Sequence, residues 1–169
     1  GSCGTGRGEP YGSFRSAGTL HIDVVGGLPE RPGEGSYLRQ LDLRSGVVTV
    51  SDPARRAQRT HFVSAGGDLC CSRLITGCPT DYLLSCACPD ALISVQGLGD
   101  GGTTGHTPHQ SPRLVISGAF EGPGALHYCT VIGVYTDGCV TEDERGLLVR
   151  GARRLTLYSA GSTDYSLID

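Results

Sequence analysis

The chain has no Met, no Trp, no Lys and no Asn among its 169 residues. Without Asn it has no acceptor for an N-linked glycan, so any sugar attached to it would sit on Ser or Thr. Without Lys, all 14 basic residues are Arg. The absence of Met suggests a trimmed or mature product. Long hydrophobic runs are missing too: no segment is long and apolar enough to span a bilayer, and no signal-peptide pattern is present. A large excess of charge of one sign is also absent. A formal net charge of −3 gives no reason to expect nucleic acid or an anionic membrane as partner. Helical patterning is nearly missing, since no segment carries a sustained 3.6-residue apolar stripe with caps. Only Asp52 to Arg59, "DPARRAQR", offers a single turn, and a strand-to-strand loop fits it equally well.

What is present is alternation. In "TLHIDVV", Leu20, Ile22 and Val24 face one way while Thr19, His21 and Asp23 face the other. "YLRQLDL" and "VVTVS" flank the turn Ser45-Gly46 and read as a hairpin. Further strands read as "RTHFVS", "DLCCSRLIT", "YLLSCAC", "ALISVQG", "RLVISGAF", "LHYCTVIGVYT", "GLLVRG" and "RLTLYSA". About eleven short strands, spaced roughly eight to twelve residues apart, predict an all-β chain folded as one antiparallel β-sandwich. Residues 1–10 are expected to be flexible. Residues 97–112 are expected to form a long Gly/Pro-rich loop that is either mobile or a place where a ligand or partner is met, and 161–169 a linker-like tail.

Eight cysteines are many for this length: Cys3, Cys70, Cys71, Cys78, Cys86, Cys88, Cys129 and Cys139. An even number in a Gly-rich, loop-rich chain predicts a disulfide framework and a secreted, extracellular location. Roughly one hundred pairings are open to eight cysteines, and spacing alone does not choose among them. Adjacent Cys70 and Cys71 would point to opposite faces of a strand and so take different partners, whereas Cys86 and Cys88 share a face. One economical pairing joins the strand of Cys86 and Cys88 to a neighbour through Cys70 or Cys71. A metal cluster is the competing use, but no C-x₂₋₄-C pair is matched by a second one.

Candidate chemistry is sparse. Gly97 to Gly102 matches G-x-G-x-x-G, yet no helix can follow it to receive a pyrophosphate. His106 and His109 lie in the same loop and lack an obvious third metal ligand. They are retained as candidates for a ligand or partner loop. Glu142, Asp143 and Glu144 cluster where a hairpin turn belongs, so a solvated acidic turn screened by Arg145 and Arg150 fits better than acid–base or calcium chemistry. There is no G-x-S-x-G elbow and no P-loop. No catalytic residue, metal or cofactor is expected. Tyr11, Phe14, Tyr37, Tyr128, Tyr135, Tyr158 and Tyr165 could stack on sugar rings, although most are expected to pack in the core or along edges.

Three stretches carry a family likeness. Tyr11, Gly18 and Leu20 come first, followed by Tyr37, Arg39, Leu41, Asp42, Leu43, Gly46 and Val50, and then Arg59, Phe62 and Ser64. With the closing "LTLYSAGSTDY", this set resembles the N-terminal β-sandwich domain of family 95 glycoside hydrolases, the α-L-fucosidase group. The resemblance implies a super-sandwich fold and a glycosidase context. It carries over no catalytic residue, because that family's catalytic residues lie in a downstream α/α barrel, and it places further strands upstream of the Tyr11 region.

The expected function is therefore a secreted, non-catalytic module that scaffolds or binds carbohydrate. The alternatives are a structural protomer assembled through edge-strand pairing and a processed fragment whose barrel is elsewhere. In either, a companion chain or a second copy would supply missing strands.

Overall fold

A computed structural model of the chain describes residues 18–28, 35–88, 91–98, 111–120 and 126–164. Among them are ten antiparallel strands: β1 (Thr19–Val25), β2 (Leu38–Asp42), β3 (Val47–Asp52), β4 (Ala57–Val63), β5 (Leu69–Ala87), β6 (Leu92–Gln96), β7 (Arg113–Phe120), β8 (Leu126–Thr136), β9 (Cys139–Asp143) and β10 (Gly146–Thr163). The all-β sandwich expected from alternation is what forms. Ten strands replace eleven because "DLCCSRLIT" and "YLLSCAC" fuse into β5, "GLLVRG" and "RLTLYSA" fuse into β10, and β9 is added. A 3₁₀ turn, Pro53–Arg55, supplies the single turn anticipated in "DPARRAQR". Asp52 caps it by accepting the Arg55 amide.

The two fused strands explain the architecture. β5 and β10 pair along almost their whole length, and both pass through a corner. Their first and second halves lie in different layers. The larger layer runs β2-β3-β4-β5-β10-β8-β7-β6. The smaller is built from β1, the second half of β5, the first half of β10 and β9. At the corner the register breaks twice. Thr76 to Pro79 of β5 stand opposite the single Arg153, while Arg150 and Gly151 stand opposite the single Asp81. Extra residues on one strand bend the pair, which is how a continuous sheet turns back over itself. Thr76 and Thr80 are buried there, and both hydroxyls donate to the Cys78 carbonyl, at 2.9 and 3.1 Å.

The core lies between the layers. Leu84, Leu147 and Val149 of the smaller layer meet Leu114, Ile116, Ile132, Val134, Leu155 and Leu157 of the larger one. At one end of β1, Gly18 sits beside Ile116 of β7; at the other, Val24 shares a cleft with Val50 of β3. The smaller layer therefore crosses the strands of the larger one rather than running along them. Strands β2, β3 and β4 extend past this overlap as a wing, whose outermost strand β2 is exposed throughout.

Two sequence expectations are not met among the described residues. No disulfide joins Cys70, Cys71, Cys78, Cys86, Cys88 or Cys129 among the described residues. The pairing of Cys86 or Cys88 with Cys70 or Cys71 fails for a topological reason: all four belong to or directly follow one strand, β5, which leads from one layer into the other. Strand pairing also continues to Thr163, into the segment expected to be a tail. Cys3, residues 1–10, and His106 and His109 lie outside the described residues.

Candidate functional site

The outward face of the larger layer holds a cleft of about 540 Å³, built from β4, β5, β10 and β8. Strand register places its side chains in rows. Phe62, Cys71, Tyr158 and Gly133 form one row, and Thr60, Arg73, Thr156 and Tyr135 the next. Arg154, two positions from Thr156, shares the face. The first row continues through Arg113 to Gln96, where the guanidinium Nε donates to the amide oxygen at 3.2 Å. Because side chains alternate, the same strands send Leu155, Leu157, Ile132 and Val134 inward to the core.

Three rings stand open on this face: Phe62 is 38% exposed, Tyr158 41% and Tyr135 60%. Cys71 lies buried in the cleft wall between the first two. Burial pushes its thiol above the usual range, the adjacent Cys70 adds to the rise, and Arg73 opposes it. A protonated thiol is a weak nucleophile.

Asp137 and Gly138 close the end of the cleft at the β8–β9 turn. The Asp137 carboxylate accepts the Arg153 and Arg154 amides, both at 2.9 Å through Oδ1. The Thr136 hydroxyl donates to the Arg154 carbonyl at 2.8 Å and accepts the Gly138 amide at 3.1 Å. Glycine is required at 138, because a Cβ there would lie 2.5 Å from the Arg150 carbonyl oxygen.

A second cleft, of about 350 Å³, separates the end of β1 from the wing and is lined by Val24, Leu28, Tyr37, Val50, Asp52, Arg55, Ala57 and Arg59. Its charges are largely satisfied internally. Arg55 donates to Asp52 at 2.8 Å, which holds the Asp52 carboxyl below its usual value. Nearby His61 is held below the usual imidazole value by burial first, then by Arg59 and Arg39, and its Nδ1 lies 2.9 Å from the Ser72 hydroxyl.

The residues singled out in the sequence scatter. Cys70 is exposed on the face of β5 opposite Cys71, as adjacency predicts. Cys86 and Cys88 do share a face and pack against the core, where the Cys88 sulfur lies 3.1 Å from the Tyr128 hydroxyl. Cys129 is exposed on β8 and Cys139 opens β9. The acidic cluster flanks the β9–β10 turn, with Asp143 accepting the Arg145 amide at 3.0 Å. No group of three or more His, Cys, Asp or Glu side chains suited to a metal ion occurs among the described residues. Of the aromatics raised in the sequence, Tyr135 and Tyr158 reach the cleft, whereas Tyr128 is buried and stacks on Phe120 at 4.6 Å. Phe62, Arg73, Asp137 and Arg154 were not anticipated as site residues. Alternation puts Arg73 with Cys71, and Arg154 with Tyr158, but only strand order brings these pairs onto one surface.

No curated protein matches this sequence. The family described as glycosyl hydrolase family 65, N-terminal domain, matches residues 2–167. The matched domain is thus the N-terminal domain of a glycoside hydrolase, as the likeness implied, but its family is 65 and not 95.

Proposed function

Since the chain belongs to the glycosyl hydrolase family 65 N-terminal domain family, we propose that it is the non-catalytic, carbohydrate-binding module of a glycosidase. The saccharide would lie on the outward face of β4, β5, β10 and β8. One observation carries this reading: Phe62, Tyr135 and Tyr158 stand half-open around a single cleft that also holds Arg73, Arg154 and Asp137. Sugar rings present apolar C–H faces and polar rims. Aromatic faces take the first, while guanidinium and carboxylate groups hydrogen-bond the second.

Titration of the purified chain with oligosaccharides, followed by amide chemical shifts, tests the proposal. Shifts confined to the cleft, and weakened binding in Tyr158→Ala and Tyr135→Ala, are expected. Absence of any saccharide-induced shift would overturn carbohydrate binding. Hydrolysis of a glycoside by this chain alone would overturn the non-catalytic assignment.

Export is part of the same proposal and stands on the cysteine count alone, since no disulfide joins the six cysteines named above. Recovery of the protein only from inside the producing cell would refute it. A second reading, self-association through a sheet edge, is favoured by β2. Among the described residues this strand pairs only with β3, and it exposes Leu38 and Leu41 beside Tyr37. A monomer at all concentrations in sedimentation would exclude it.

A further inference from the structure

We infer that the cleft of β4, β5, β10 and β8 takes an acidic saccharide, a sugar bearing a carboxylate or sulfate, in preference to a neutral one. The inference rests on the carbohydrate-binding reading above and adds the ligand's charge. Arg73 and Arg154 enter the cleft from neighbouring strands, on one face and two positions apart in register. Neither has an acidic partner among the described residues. Elsewhere, arginines at turns are paired locally, Arg55 with Asp52 and Arg145 with Asp143.

Asp137 lines the same cleft but forms no ion pair with either arginine. Its Oδ1 is occupied by the main-chain amides of Arg153 and Arg154. Arg113 stands on the same face, beyond Gly133, and is held by a neutral amide, Gln96. A chain of net charge −3 thus places two arginines against one aspartate in the cleft itself. Guanidinium groups bind carboxylates and sulfates through paired N–H donors, so geometry as well as charge favours an oxyanion on the ring. The open rings of Tyr158 and Tyr135 would hold the sugar while the arginines read its charge.

The test compares an oligogalacturonate with its fully methyl-esterified form, and a sulfated oligosaccharide with its desulfated form, by calorimetry and amide shifts. At least one acidic member is expected to bind about tenfold tighter than its neutral counterpart, with the preference shrinking as salt rises. The pair that shows the preference identifies carboxylate or sulfate as the group read. Arg73→Gln and Arg154→Gln should weaken the acidic member far more than the neutral one, so that the preference is lost. Tyr158→Ala should weaken binding to both members. A retained amide spectrum confirms that each variant is folded. Equal affinity for acidic and neutral members would overturn the charge inference and leave carbohydrate binding standing. Failure of every saccharide to bind would overturn both.

Discussion

The carboxylate of Asp81 accepts the amide of Gly151 at 2.7 Å, across the register break where β10 turns from one layer into the other. Gly151 has φ +68°, a backbone conformation that side chains disfavour. Asp81 and Gly151 therefore fasten the corner on which the whole sandwich depends. Asp81→Ala is expected to cost about 1–2 kcal/mol, because it removes a charge-assisted hydrogen bond to an amide in a bulge. Asp81→Asn, which keeps an acceptor oxygen, should cost less. Urea denaturation midpoints check the order.

His127 and Asp164 form a second fastening, where β10 ends against β8. The Asp164 amide donates to the His127 carbonyl at 3.1 Å. In return the Asp164 carboxylate accepts the His127 amide at 2.8 Å and lies 2.7 Å from its Nδ1. The hydrogen bond from the His127 side chain is the main reason that the Asp164 carboxyl titrates below its usual 3.8. A carboxyl lowered in this way stabilises the fold above its unfolded value and loses that contribution as pH falls through the folded one. The pair is exposed, so the effect is local. Hydrogen exchange at Tyr128 and Thr163 should quicken in Asp164→Asn and in strong acid, relative to Leu155. Unchanged exchange at both ends of the scale would show that the contact holds nothing.

The Tyr82 hydroxyl is buried with no hydrogen-bond partner among the described residues, in a side chain only 1% exposed. An unsatisfied buried hydroxyl is a cost to the folded state. Tyr82→Phe is therefore expected to leave stability unchanged or raise it by up to about 1 kcal/mol. A loss of more than about 1 kcal/mol on thermal and urea unfolding would indicate a bound water or other partner for the hydroxyl.

Thiol reactivity should follow burial. Cys70 and Cys129 are exposed and should alkylate first without denaturant. Cys71 and Cys86 should lag, because burial raises both thiols; Cys70 adds to the rise at Cys71, and Cys88 to that at Cys86. A thiol raised in the folded state favours that state until pH climbs past its unfolded value, and the advantage fades as pH rises through the folded one. Their lag behind Cys70 should therefore narrow at high pH. Peptide mass spectrometry after timed alkylation reads this order. Resistance of Cys70 and Cys129 to alkylation until a reductant is added would restore the disulfide framework.

Much of the fold was legible in the sequence because a strand's side chains alternate by simple geometry. The hairpin at Ser45-Gly46 forms as read: Gly46 takes φ +69° and its amide donates to the Asp42 carbonyl at 2.8 Å. The Asp42 carboxylate binds the Arg44 amide and the Ser45 hydroxyl. The split faces of Cys70 and Cys71 and the shared face of Cys86 and Cys88 follow from the same rule. Local chemistry could not show that the break around Gly77 and Pro79 is a corner inside one strand rather than a loop between two. That depends on β10 bending alongside β5, with residues of one strand left over against the other. The cleft depends on it as well. Phe62 and Arg73 lie on the consecutive strands β4 and β5, whereas Tyr135, Arg154 and Tyr158 lie on β8 and β10, much later in the sequence. Each side chain's alternation was set by its own strand, but their meeting was decided by strand order, and strand order follows from how the two layers close over Leu84, Leu155 and their neighbours.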